Sequence, residues 1–322
     1  MESRPFVDKK LILIIGFRKC GTSTLYDYLV SQNVGSGCIV KEPQLLCSGN
    51  VLDEDFIKKY LNLFESDSDV IIDGSTFLVD DPVAIDEVKK IFREVKILVC
   101  VRNPIERFFS AYWHCRGKEK KQEKYSIENV ISRIDSWGKE KFEKELQWVA
   151  EHDYYKEFYK QNYLKSQGIE EVEFNPVNNR LAFTYFGEGV YSTRLKKLDM
   201  SDSLIVYFED FIVGGFCISE LSDYLGVELK KEKVSEIGVS NKGINRSNVQ
   251  YFDFIKKISI HKLIPVSFRQ KMKKYLYKPI PNSKEYLVEI VSEWYEEEIQ
   301  YWLSLEPRLN LYWLKNQNRR KN

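Results

Sequence analysis

Lys19 stands in an unusual place for a phosphate loop. In LILIIGFRKCGTSTLYDYL, Leu11 to Leu29, the glycines Gly16 and Gly21 keep the spacing of a Gly-x-x-x-x-Gly-Lys-Ser/Thr loop. Thr22, however, occupies the lysine position, and Lys19 sits inside the loop. An apolar run before the loop and a helical pattern after it would aim backbone N–H groups and the positive helix end at one point. Thr22, Ser23 and Thr24 add hydroxyl donors there, so a phosphate group is the natural occupant. Lys19 would reach that group from within the loop, near where negative charge builds on a leaving oxygen. A tight strand–helix turn with a surface lysine is the bland alternative.

A second segment, ILVCVRNPIERFFSAYWHCR, reads as a buried strand running into Arg102, Asn103 and Pro104, then a helix carrying Ser110. Proline suits the first helical turn. Arg102 and Ser110 lie on adjoining turns that can converge on one anion, and arginine suits bidentate phosphate binding. A helix cap with a surface arginine is the competing reading. His114 is read as a packed histidine, past the phosphate-facing turns. Asp73 in VIIDGSTFL ends a strand, where a carboxylate capping the next turn is one reading of it.

The two loops, in this order, resemble the 5′-phosphosulfate and 3′-phosphate motifs of sulfotransferases that use 3′-phosphoadenosine 5′-phosphosulfate (PAPS). The likeness is to the carbohydrate branch, which includes heparan sulfate sulfotransferases and bacterial relatives. It runs through Arg102, Asn103, Pro104, Glu106, Arg107 and Ser110, and it touches the chain from Leu11 to about Trp313. It implies donor binding by Arg18, Lys19, Cys20, Gly21, Thr22, Ser23 and Thr24 at one end and by Arg102 and Ser110 at the other. NKGINRSN resembles the late family loop around the 3′-phosphate and adenine, adding Lys242, Gly243 and Arg246; a solvated basic loop is its alternative. GEGVYSTRLKKL and LIVYFEDF resemble structural family segments, with Tyr191 and Leu195 read as core. Lys41-Glu42-Pro43 resembles the Lys-Glu signature of the carbohydrate branch, which makes Glu42 the base and places Lys41 beside donor sulfate or acceptor. Asp73 and Ser75 resemble an acidic–serine pair, implying acceptor contact. Gln44, Leu45 and Leu46 depart from the family's histidine and aromatic pair, which touches acceptor geometry. PAPS would be the co-substrate, a glycan hydroxyl the acceptor, and no metal is implied.

These residues need elements to hold them. Short apolar runs at Leu11–Ile15, Val70–Ile72, Lys96–Val101 and Leu204–Phe208 read as buried parallel strands. Helical patterns such as Thr22–Ser31 and Pro82–Arg93 lie between them, so the expected fold is α/β: a P-loop-like, doubly wound parallel sheet flanked by helices. One sulfotransferase domain is expected over 1–322, with a helical insertion at 118–180 near the acceptor cleft. Its aromatics Trp137, Trp148, Tyr154 and Tyr155, with Lys118, Lys120 and Lys121, suit an anionic sugar, although helix core with solvated charges explains them as well.

With 322 residues there is length for a sizeable core. The formal net charge of +1 gives no general pull toward nucleic acid or membrane, so any anion must be held by local basic groups. Six cysteines without a Cys-x-x-Cys pair, and only three histidines, speak for reduced thiols over a zinc site. No early apolar run is long enough for a membrane span or a signal peptide, and a cytoplasmic location is the expectation.

Overall fold

The computed structural model describes residues 7–46, 53–64, 68–117, 125–136, 185–231, 234 and 284–314. Five strands form one sheet: β1 (Val7–Gly16), β2 (Ser36–Gly37), β3 (Val70–Asp73), β4 (Phe92–Val101) and β5 (Ser203–Tyr207). Their order is β2-β3-β1-β4-β5, and every neighbouring pair is parallel. The chain therefore starts in the middle of the sheet and winds outward to either side, the doubly wound pattern expected from the strand–helix alternation. Ligands bind such sheets at the carboxyl ends of the strands, near the point where the winding reverses. Here that point is the end of β1, between β3 and β4.

The core explains the strand choice. Leu11 to Ile15 are all fully buried, as is Ile72 on β3 and Val99 on β4, in keeping with a parallel sheet covered by helices. Leu13 pairs with Asp73 on one side and with Ile97 on the other. β1, β3 and β4 extend the expected strands by one to four residues at an end, whereas β5 starts one residue early and stops at Tyr207, because Phe208 opens a short helix. One helix is shorter than its sequence suggests: α3 spans Pro82–Ile91, not Pro82–Arg93. Phe92 is already extended and pairs with Val7, so the helix passes into β4 without a loop. β2 has only two residues, Ser36 and Gly37, with no apolar pattern to announce them.

Four helices matter for the site or its flank: α1 (Thr22–Ser31), α2 (Glu54–Leu61), α4 (Pro104–Gly117) and α5 (Ile127–Asp135). Of the expected insertion only α5 and its ends are described; Ser126 caps it, accepting from the Asn129 N–H at 3.3 Å, and Val130, Ile131 and Ile134 are buried. Trp137, Trp148, Tyr154, Tyr155, Lys118, Lys120 and Lys121 lie outside the described residues, as do Lys242, Gly243 and Arg246. Among the described residues no helix is long and apolar enough to cross a membrane.

Candidate active site

The turn after β1 is built from both sides. The Phe17 N–H donates to the Cys100 carbonyl on β4 at 2.9 Å, and the Cys20 N–H closes the turn on the Phe17 carbonyl at 3.1 Å. Lys19 is left-handed, with φ 67°, and so is Gly21, with φ 88°. Gly21 has a further reason to be glycine: a Cβ there would lie 2.1 Å from Cδ2 of Phe208. As the cap of α1 it offers no side-chain acceptor to the first-turn N–H groups, and no acidic residue occupies that turn. A helix start of this kind favours an anion. Lys19 and Ser23 are half-buried here, and Thr22 is 5% exposed.

Two residues expected in the donor loop face elsewhere. Cys20 is fully buried, with Sγ 3.3 Å from the Tyr191 hydroxyl, and burial pushes its thiol up to about 11. Thr24 is 1% exposed, within the helix's packed face. Neither side chain lines the cleft described below.

β4 delivers the second basic group. Asn103 caps α4: its Oδ1 accepts from the Ile105 N–H at 3.0 Å, and its own N–H donates to Glu209 at 3.0 Å. Arg102, just before the cap, turns toward the loop and donates from Nη1 to the Lys19 carbonyl at 3.4 Å. Its guanidinium stands 4.9 Å above the Phe208 ring, the same ring that fills the space beside Gly21. Its Nε is buried, makes no hydrogen bond and lies 4.0 Å from Glu209. Burial raises the Glu209 carboxyl, with Arg102 opposing that shift. Arg102, just before α4, and Glu106, Ser110 and His114 along it are not buried and recur every four residues, a stripe on one face. His114 is therefore exposed on the stripe that carries Ser110, not packed away as its position in the sequence suggested.

Glu42 arrives from the segment after β2. Its Oε1 pairs with Lys41 Nζ at 2.8 Å, and its Oε2 accepts from Gln44 Nε2 and Thr76 Oγ1, each at 3.3 Å. Lys41 Nζ also donates to Thr22 Oγ1 at 3.3 Å, tying this carboxylate to the start of α1. The segment is hung on the end of β3: the Gly74 N–H donates to the Lys41 carbonyl at 3.1 Å and the Gln44 N–H to the Ser75 hydroxyl at 2.9 Å. Gln44, which departs from the family's histidine, thus touches Glu42 directly, while Leu46 goes into the core.

Asp73 and Ser75 stand behind this arrangement. Both are fully buried. Asp73 accepts from the Tyr60 hydroxyl at 2.8 Å and from the Ser75 N–H at 2.7 Å, so it caps the turn after β3. Burial raises its carboxyl above the ordinary value. The structure gives neither residue a place on the cleft wall; they orient the Lys41–Gln44 segment from the rear.

The three segments enclose a cavity of about 240 Å³. Lys19, Gly21, Thr22 and Ser23 line it from the loop, Arg102, Ser110 and His114 from β4 and α4, and Glu42 and Thr76 from the opposite side, with Arg18 and Phe208 completing the wall. Three of these described residues are permanent cations and one is a carboxylate. Such a cleft can hold a doubly anionic ligand between Lys19 and Arg102, with the Glu42 carboxylate and the His114 ring beside it. Thr76 and Phe208 were not singled out in the sequence: their roles arise where distant strands end beside the loop. His114 was readable, since it follows Ser110 at helical spacing.

No protein-family model matches this sequence, and no curated protein matches it. Among solved structures, a sulfotransferase from Alicyclobacillus acidocaldarius gives a TM-score of 0.43 at 20% identity, over 71% of this chain and 83% of that one. The sulfotransferase domain from the curacin biosynthetic pathway gives 0.33 at 13% identity, over 90% of this chain and 97% of that one. At these scores neither likeness decides what the chain does. The cleft has to carry the functional reading.

Proposed function

We propose that this protein moves a sulfuryl group from PAPS to a hydroxyl of a carbohydrate acceptor. The observation that carries the reading is the convergence of Lys19, Ser23, Arg102, Ser110 and Glu42, from three distant segments, on one cleft. The donor has two anionic ends. Arg102 suits the 3′-phosphate: its side chain lines the cleft, flanked by Glu106 and Glu209, and its guanidinium can offer a fork to phosphate oxygens. Lys19, Thr22, Ser23 and the start of α1 suit the 5′-phosphosulfate.

In this reading Glu42 takes the proton from the acceptor hydroxyl. The oxygen then forms a bond to sulfur as the bond from sulfur to the 5′-phosphate oxygen breaks. The leaving adenosine 3′,5′-bisphosphate gains negative charge, which Lys19 and the helix start oppose. A saccharide acceptor is supported by the resemblance of Lys41-Glu42-Pro43 to the carbohydrate branch, where the small-molecule branch uses histidine. A phosphoryl-transfer reading would ask Asp73 to hold magnesium, yet its oxygens are engaged by Tyr60 and Ser75 at the back of the turn.

Calorimetry with adenosine 3′,5′-bisphosphate against AMP tests the donor, and a sulfate-transfer screen over glycans, read by mass spectrometry, tests the acceptor. Arg102→Ala should weaken binding of the bisphosphate by about 2–5 kcal/mol, the range for truncating one partner of a buried charge pair, and leave AMP binding nearly unchanged. Equal wild-type affinity for the two nucleotides would sink the donor assignment.

A further inference from the structure

Behind the loop, two guanidinium groups share one carboxylate. Glu188, from the turn Gly187–Gly189, is 1% exposed and forms ion pairs with both Arg18 and Arg107. Arg107 is fully buried on α4; it donates from Nη1 to the Tyr185 carbonyl at 2.7 Å and from Nε to the Arg18 carbonyl at 3.2 Å. Residue 18 is thus gripped twice. Arg107 holds its carbonyl, and Glu188 holds its side chain, whose guanidinium lies 4.5 Å over the Phe77 ring. The next residue is Lys19, in a left-handed backbone conformation that a non-glycine residue adopts at a cost. Arg102 meets its carbonyl from the cleft side, and the grip on its neighbour restrains it from the rear.

The charge count adds a second consequence. One carboxylate neutralises one guanidinium, so the triad keeps a positive charge in excess. Arg107 is locked in the interior, and Arg18 lines the cleft, so the excess is presented at the cleft wall. We propose that Glu188 is a positioning residue: by bridging Arg18 and Arg107 it sets the anion loop in its binding geometry before any ligand arrives. A loop ordered in advance spares its ligand the ordering entropy, so affinity gains without a new contact. The ligand's identity rests on the sulfuryl-transfer reading; the grip on the loop does not.

The test uses Glu188→Gln in the full chain, with Glu188→Asp as the conservative variant that keeps the charge. Ligand-free protein is digested briefly with trypsin, and cutting after Arg18 and Lys19 is followed by mass spectrometry, with Lys58 on exposed α2 as the internal reference. Affinity for adenosine 3′,5′-bisphosphate is read by calorimetry. Charge alone would make Glu188→Gln bind an anion more tightly, since a nearby carboxylate is gone. Positioning requires the opposite: binding weaker by roughly tenfold and loop cutting faster by a similar factor, both largely restored in Glu188→Asp. Tighter or unchanged binding together with unchanged loop cutting overturns the proposal. If Glu188→Gln does not fold, Arg18→Gln leaves the Arg107–Glu188 pair balanced; the bond after Lys19 should still be cut roughly tenfold faster, and unchanged cutting overturns the proposal. A wild-type protein that binds no nucleotide defeats the sulfuryl-transfer reading, while the digestion still decides the role of Glu188.

Discussion

Two carboxylates, Glu42 and Asp73, lie close in the fold and differ in what they can do, and replacing each by its amide separates them. Asp73→Asn keeps one oxygen for the Ser75 N–H but turns an amide N–H₂ toward Tyr60, whose hydroxyl must reverse from donor to acceptor. Two buried charge-assisted hydrogen bonds become neutral ones, worth about 1 kcal/mol less each. Relief from burying a charge offsets that loss, in keeping with the raised carboxyl, and the amide N–H₂ turned toward Tyr60 supplies the cost that remains. The net destabilisation should be about 1–2 kcal/mol, a fall in Tm of roughly 2–6 °C for a chain of this size. Sulfate transfer by the folded variant should stay within a few-fold of wild type. Glu42→Gln is the mirror image. Its partly exposed pair with Lys41 is worth no more than about 1 kcal/mol, so Tm should hardly move. Turnover should fall by roughly 10²–10⁴, the usual worth of a positioned base, with nucleotide affinity nearly unchanged. Thermal unfolding and a single sulfate-transfer assay read both variants. If Asp73→Asn keeps its Tm and loses turnover while Glu42→Gln turns over normally, the wrong carboxylate has been placed in the cleft.

Further outcomes are expected. Gly21→Ala combines a left-handed backbone with a Cβ driven into Phe208, a cost of about 2–5 kcal/mol, and calorimetry should find nucleotide binding lost even where circular dichroism finds the fold retained. Burial raises the carboxyls of Asp73 and Glu209, so between their unfolded and folded values the native state holds more protons than the unfolded chain. Their contribution is complete below the unfolded pKa and is lost as pH rises through the folded one, so the urea midpoint of wild type relative to Asp73→Asn should fall from about pH 4 upward. Exhaustive chelation should leave sulfate transfer intact, since Lys19 and the start of α1 are placed to meet the leaving-group charge; loss in EDTA with recovery in Mg²⁺ would contradict that.

The sheet was legible because its strands are continuous apolar runs: Leu11–Ile15 and Lys96–Val101 can only be buried. The start of α1 was legible to the residue, since Gly21 and Thr22 mark it chemically. β2 escaped notice because Ser36 and Gly37 join the sheet through their backbones alone. Lys19, Arg102, Ser110 and Glu42 could be named from local patterns, yet Thr76 and Glu188 could not. Thr76 meets Glu42 only because β3 ends beside the segment after β2. Glu188 meets Arg18 across more than half of the chain's length and Arg107 across about a quarter of it, and no local pattern encodes such a meeting. For Asp73 the sequence left acceptor contact and turn capping open, and its neighbours in space, a tyrosine hydroxyl and the Ser75 N–H, are those of a turn cap.

The parallel order of the sheet also bears on how the chain reaches this state. β1 has no hairpin partner, and both of its neighbours, β3 and β4, are made later, from Val70 and Phe92 onward. As the chain leaves the ribosome, its most apolar strand waits unpaired until those segments emerge. The anion loop is therefore synthesised before the segments that shape it, because its turn is pinned to Cys100 and its Lys19 carbonyl to Arg102.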